Sequence, residues 1–159
     1  MKKIIKIICP LLFAFTLLFS SISVEASDSV LSTYTEYFEN GESFEVTIIQ
    51  HNTDILLRSN SKTKSASKVG KYRDSNGTVL WSVTVTETFT YTGSTSKCIA
   101  SQVSASSNNS NWKIASKSSS RSGSTASATA TAKRYNGSNV VQTSTKTVKL
   151  SCSKNGTLS

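Results

Sequence analysis

Few side chains in this sequence are placed to do chemistry. His51 is the single histidine among 159 residues and stands in a polar stretch, with no motif around any serine. Nucleophilic catalysis of the Ser–His type needs that base against a hydroxyl, and the setting predicts instead an exposed histidine at a strand end. Glycoside hydrolysis needs two carboxylates in acid and base roles. Asp74, Glu87 and the acids from Glu36 to Glu45 could supply them, but no spacing singles out a pair. Glu87 interrupts an apolar face and is expected as a solvated carboxylate at the domain rim. No phosphate loop, dinucleotide fingerprint, calcium loop or metalloprotease helix motif occurs. No catalytic residue, metal ligand or cofactor follows, and an enzyme is the least favoured class.

The cysteines carry a second kind of chemistry. Cys9 lies in an apolar leader, whereas Cys98 and Cys152 lie in the body of the chain. An even pair in an exported chain is expected to form a disulfide. A metal-thiolate or redox pair fits less well, because there is no Cys-x-x-Cys spacing and His51 is the only further soft ligand.

Charge is the third feature. Asp28, Glu36, Glu39, Glu42, Glu45 and Asp54 fall in a stretch without a base, and from Thr88 onward there is no acid at all. The later half is therefore strongly basic. Lys113, Lys117, Arg121, Lys133, Arg134, Lys146 and Lys149 are the candidate contacts to a polyanion such as an anionic envelope polymer. Aromatic residues are too sparse among these bases to offer a stacking platform, which disfavours nucleic acid. A plainer reading is that the lysines keep a Ser/Thr-rich domain soluble and guard its strand edges.

The leader decides where this chemistry operates. Met1-Lys2-Lys3-Ile4-Ile5-Lys6 is followed by an apolar run from Ile7 to Phe19, which is too short to span a membrane and ends in polar residues. Val24-Glu25-Ala26 fits a signal-peptidase site, with cleavage expected between Ala26 and Ser27. No cysteine follows the run to carry a lipid, and the only proline is Pro10. The expectation is a secreted, extracellular protein, without a transmembrane anchor in its mature chain and at most loosely held at the cell surface.

The elements that must position these residues read as strands. Serine and threonine make up more than a third of the chain after Ala26, yet threonine alternates with apolar residues, as on a pleated surface. From Thr78 to Tyr91 the odd positions Trp81, Val83, Val85, Phe89 and Tyr91 face one way and threonines the other. Ser75-Asn76-Gly77 predicts a hairpin turn after a strand at Val69–Asp74. Further strands are expected near Lys97–Ala105, Asn111–Lys117, Thr125–Lys133 and Asn139–Cys152. The alanines at 126, 128, 130 and 132 call for bulky partners, with Trp81 and Trp112 on an opposing sheet as candidates.

Near the N-terminus, Val30, Tyr34 and Phe38 share a face under a strand or a helix reading. Phe44–Gln50 reads as a strand, and Asn40-Gly41 could turn a hairpin, although a two-residue turn would oppose Glu39 and Glu42. The fold expected is all-β, an antiparallel two-sheet sandwich of immunoglobulin-like type. The expected division is a signal peptide over 1–26, an acidic hairpin or arm over 27–58, a basic linker or loop over 59–68, and the sandwich over 69–159.

The order Tyr72-x-Asp74-x-Asn76-Gly77-(x)3-Trp81, Phe89-x-Tyr91-x-Gly93, Cys98, Trp112-Lys113-Ile114 and Leu150-Ser151-Cys152-(x)3-Gly156 resembles a group of small secreted Ser/Thr-rich proteins of Gram-positive bacteria. Spanning roughly Val69 to Ser159, the resemblance implies export and a β-sandwich, and it carries no active-site residue over. The function expected is non-enzymatic binding or adhesion at the cell envelope or another extracellular surface, with an anionic polymer or a surface protein as partner. The alternative is a bacteriocin-like effector directed at other cells.

Overall fold

The computed structural model describes residues 27–52 and 61–159. The leader at 1–26 and the expected boundary between residues 58 and 59 lie outside the described residues. Eight strands follow in chain order: β1 (Ser29–Tyr37), β2 (Ser43–His51), β3 (Lys62–Arg73), β4 (Val79–Tyr91), β5 (Ser96–Ser107), β6 (Trp112–Ser122), β7 (Thr125–Asn136) and β8 (Asn139–Ser151).

Local chemistry sets the turns. Between β3 and β4, Asp74 Oδ1 accepts from the N–H groups of Asn76 (3.0 Å) and Thr78 (2.8 Å), and the Asp74 carbonyl accepts from Gly77 N–H. Gly77 has φ 82°, a left-handed conformation that glycine adopts without steric cost. Between β1 and β2 the chain closes a longer loop, with Phe38 N–H donating to the Glu42 carbonyl and Tyr37 opposite Ser43. Glu39 and Glu42 are thereby kept from facing each other across a two-residue turn.

Strands β1-β2-β3-β4-β5 form one antiparallel sheet and β6-β7-β8 the other, so neighbours in each sheet are consecutive in sequence. The expected two-sheet antiparallel architecture is observed. An immunoglobulin-like topology requires Greek-key connections; here both sheets are meanders, and the chain changes sheet once, between β5 and β6.

Period-two alternation places Trp81, Val83, Val85, Glu87 and Phe89 of β4 on the inner face, all fully buried. Strand β7 lies across β4 and β5, and β8 lies across β3 and β4. Ala126, Ala128, Ala130 and Ala132 of β7 are buried in the gap between the sheets. Trp81 faces them from the opposing sheet as expected, whereas Trp112 belongs to β6, in the same sheet as the alanines. Tyr72 bridges the sheets, with its ring 5.6 Å from Trp81 and 5.8 Å from Trp112. Gly70 of β3 leaves room for this packing. A methyl group there would stand 2.3 Å from Phe44 Cζ and 2.9 Å from Val148 Cγ1.

Several expectations need correction. Residues 62–68 are no linker but the first half of β3, whose inner positions include Lys64 and Lys68. Their stems cover apolar surface while Lys64 Nζ donates to the Gly156 carbonyl (2.7 Å) and Lys68 Nζ lies 6.0 Å from the centre of the Tyr34 ring. Burial holds the Lys68 amine below its ordinary pKa. The acidic segment is a hairpin hydrogen-bonded onto β3, so the sheet begins at Ser29 and not at Val69. A register shift between Val30 and Ser32 sets Val30 opposite Ile49 and Tyr34 opposite Val46, on different faces. Glu87 is no rim residue, being 1% exposed.

Cys98 and Cys152 are both buried free thiols, not at bonding distance, so the expected disulfide is not formed. Each belongs to a separate backbone contact around the β6–β7 turn. Cys98 N–H donates to the Gly123 carbonyl (2.8 Å) and Cys152 N–H to that of Ser124 (3.0 Å). The thiols themselves point to carbonyls of their own segments, Ala100 and Ser153. Burial raises the pKa of both, and for Cys98 the nearby Glu87 adds to the shift, which makes them poor nucleophiles.

Candidate polyanion-binding face

In a strand, alternate residues share a face, and register aligns those faces across β6, β7 and β8. Opposite the alanine face of β7 lie Thr125, Ser127, Thr129, Thr131 and Lys133. Their neighbours on β6 are Ser122, Ser120, Ser118, Ser116 and Lys113, and on β8 they are Ser151, Lys149, Thr147, Thr145 and Thr143. From the Thr125 row to the Lys133 row the outer face of this sheet thus carries hydroxyls and three lysines, and beyond Lys133 it ends in Tyr135 opposite the exposed Val140. Hydroxyl pairs tie the strands together: Ser120 with Ser127 at 2.9 Å, Thr129 with Thr147 at 2.8 Å and Thr131 with Thr145 at 2.9 Å. Such cross-strand pairs each add a few tenths to about 1 kcal/mol.

Lys113 and Lys133 stand directly opposite each other, an arrangement that costs stability in isolation. The Lys113 ammonium is partly offset by the Tyr135 ring, 5.2 Å away at its centre. Lys149 lies opposite Ser127, toward the other end of the face. No acidic side chain shares it among the described residues, and several acids of the N-terminal half are engaged elsewhere. Asp28 contacts His51 (2.8 Å), Glu45 pairs with Arg73 (3.0 Å) and Glu36 with Lys146 (3.2 Å).

The structure separates the seven candidate bases. Lys113, Lys133 and Lys149 share the outer face. Lys117 and Arg121 lie on the other face of β6, opposite Ala130 and Ala126, and remain exposed because β6 is an edge strand. Arg121 Nη1 donates to the Ile99 carbonyl of β5 at 2.6 Å. Arg134 sits at the far end of β7 among the loops that join the strands. Lys146 turns inward: its ammonium stands over the rings of Phe38 (4.1 Å) and Phe44 (5.1 Å) as well as beside Glu36. It is a packing residue and leaves the proposed contact set. Parity with Val148 and Leu150 was the signal for this.

One constellation of catalytic residue types was not anticipated. His51 Nδ1 contacts Asp28 Oδ2 at 2.8 Å and His51 Nε2 contacts Ser67 Oγ at 2.7 Å. The order Asp–His–Ser is that of an acyl-transfer triad, but the surroundings lack its other parts. Ser67 is 5% exposed and its Oγ also bonds Thr86 Oγ1 at 2.8 Å. The backbone donors around it are committed to the β2–β3–β4 ladders, which leaves no oxyanion hole beside the hydroxyl. The contact ties the start of the described chain to the outer face of the larger sheet.

No protein-family model, curated protein or solved structure matches this chain.

Proposed function

We propose that this chain is an exported, non-enzymatic binding module that holds an anionic polymer of the cell envelope against the outer face of β6–β8. The observation that carries the reading is the composition of that face, where hydroxyls stand with Lys113, Lys133 and Lys149 and β6, β7 and β8 contribute no acidic side chain. Ammonium groups supply long-range attraction to a polyanion, and hydroxyls, which donate and accept, supply short-range hydrogen bonds to its oxygens. Export is the part of the proposal that rests on the leader pattern of residues 1–26.

Co-sedimentation of the Ser27–Ser159 protein with purified cell envelope tests the proposal. The protein is expected in the pellet at low salt and in the supernatant at high salt, where exposed charges are screened beyond a few ångströms. Absence from the pellet at low salt would overturn it.

A further inference from the structure

We infer that the end of the sandwich where the β1–β2, β3–β4, β5–β6 and β7–β8 loops meet is a second binding site, shaped for a neutral saccharide. Two hollows of ≈ 450 and ≈ 460 Å³ adjoin there, with a smaller one of ≈ 160 Å³ beside them, and Arg134 lines all three. The two larger ones fall within the range of small-ligand pockets, roughly 300–1,000 Å³.

Glu42 forms part of the floor and is 8% exposed. Its Oε2 accepts from Tyr72 Oη (2.6 Å), Asn40 Nδ2 (2.6 Å) and Gln142 Nε2 (3.1 Å). Three donors on one oxygen fix the plane of the carboxylate and leave Oε1, which has no donor among the described residues, open to solvent and to a ligand. Asp74 repeats the pattern: Oδ1 is consumed by its own turn and Oδ2 is not. Beside these two acceptors stand the Arg134 guanidinium, without an ion pair among the described residues, and the Asn111 amide.

The ligand class follows from these groups. Sugar hydroxyls donate and accept at once, so neighbouring hydroxyls satisfy a fixed carboxylate oxygen together with an adjacent guanidinium or amide. Two carboxylates against one guanidinium leave the site slightly negative, which selects a neutral sugar over an anionic one. The site is therefore distinct in chemistry from the lysine face and does not depend on it.

Titration of the 15N-labelled Ser27–Ser159 protein with triacetylchitotriose and, separately, maltotriose as neutral probes tests the inference. At least one probe is expected to shift the backbone amides at 40–42, 109–111 and 134–136, with an affinity unchanged between about 50 and about 500 mM NaCl. Arg134→Met and Asn111→Ala, both at exposed positions, should each weaken that binding by about tenfold or more with the spectrum still folded. The absence of shifts at the loop end with both probes, or full binding by both variants, would overturn it. Loss of envelope binding alone would remove the lysine-face proposal and leave this site standing.

Discussion

Glu87 of β4 stands directly across from Ser101 of β5, and neither the Glu87 carboxyl oxygens nor Ser101 Oγ meets a hydrogen-bond partner among the described residues. Ala66 of β3 flanks Glu87 on its other side and offers no donor, and the ammonium groups of its inner-face neighbours Lys64 and Lys68 are turned to the Gly156 carbonyl and the Tyr34 ring. Burial accordingly pushes the carboxyl up to about 7. A carboxyl whose folded pKa is raised stabilises the fold below its unfolded pKa, near 4.5, and loses that contribution as pH climbs through 7.

Stability should therefore fall between about pH 4.5 and 8, by about 3 kcal/mol from this group. Denaturant unfolding at stepped pH measures the slope. Glu87→Gln, which keeps the shape without the charge, should flatten that slope and raise stability at pH 8. An equal slope in wild type and variant would show that Glu87 does not govern it.

Gly70→Ala should destabilise the domain by about 1–3 kcal/mol, because the added methyl must displace the Phe44 ring and Val148 together. Thermal unfolding reads the loss. The strand φ at Gly70 suits alanine, so an unchanged melting temperature would mean that the contact between the sheets is looser than described.

Lys146→Met separates packing from binding. The variant keeps the stem over Phe38 and Phe44 and removes the ammonium, so it should lose about 0.5–2 kcal/mol of stability through the cation–π and Glu36 contacts. Envelope affinity should stay near that of wild type, in contrast to substitutions on the outer face. A loss of affinity as large as theirs would return Lys146 to the contact set.

The parts of the fold that were legible in the sequence are those set by local chemistry. The Asp74–Gly77 turn, the alternation through β4 and the alanine–threonine ladder of β7 each carry their signal within a few residues. The first half of β3 was hidden because Lys64 and Lys68 occupy inner positions with their stems, and a lysine scores as polar whichever end does the packing. Glu87 misled for a related reason, since a carboxylate on an apolar face reads as a rim residue until the opposing sheet is in place. The cysteine pair depended on three-dimensional spacing that composition does not carry. The lysine face was legible as a set of bases, but sorting it required strand register: Lys113 meets Lys133 only through the pairing of β6 with β7. The Glu42 site joins residues some 100 positions apart in sequence, and no local pattern announces it.

The most direct test of the central claim is the salt dependence of envelope binding by wild type and by a Lys113→Glu, Lys133→Glu, Lys149→Glu variant. Wild-type affinity should fall steeply as salt rises, and the folded variant should bind at least about tenfold more weakly at low salt with a shallower salt slope. Equal affinity and equal slope in the two proteins would contradict the assignment of that face.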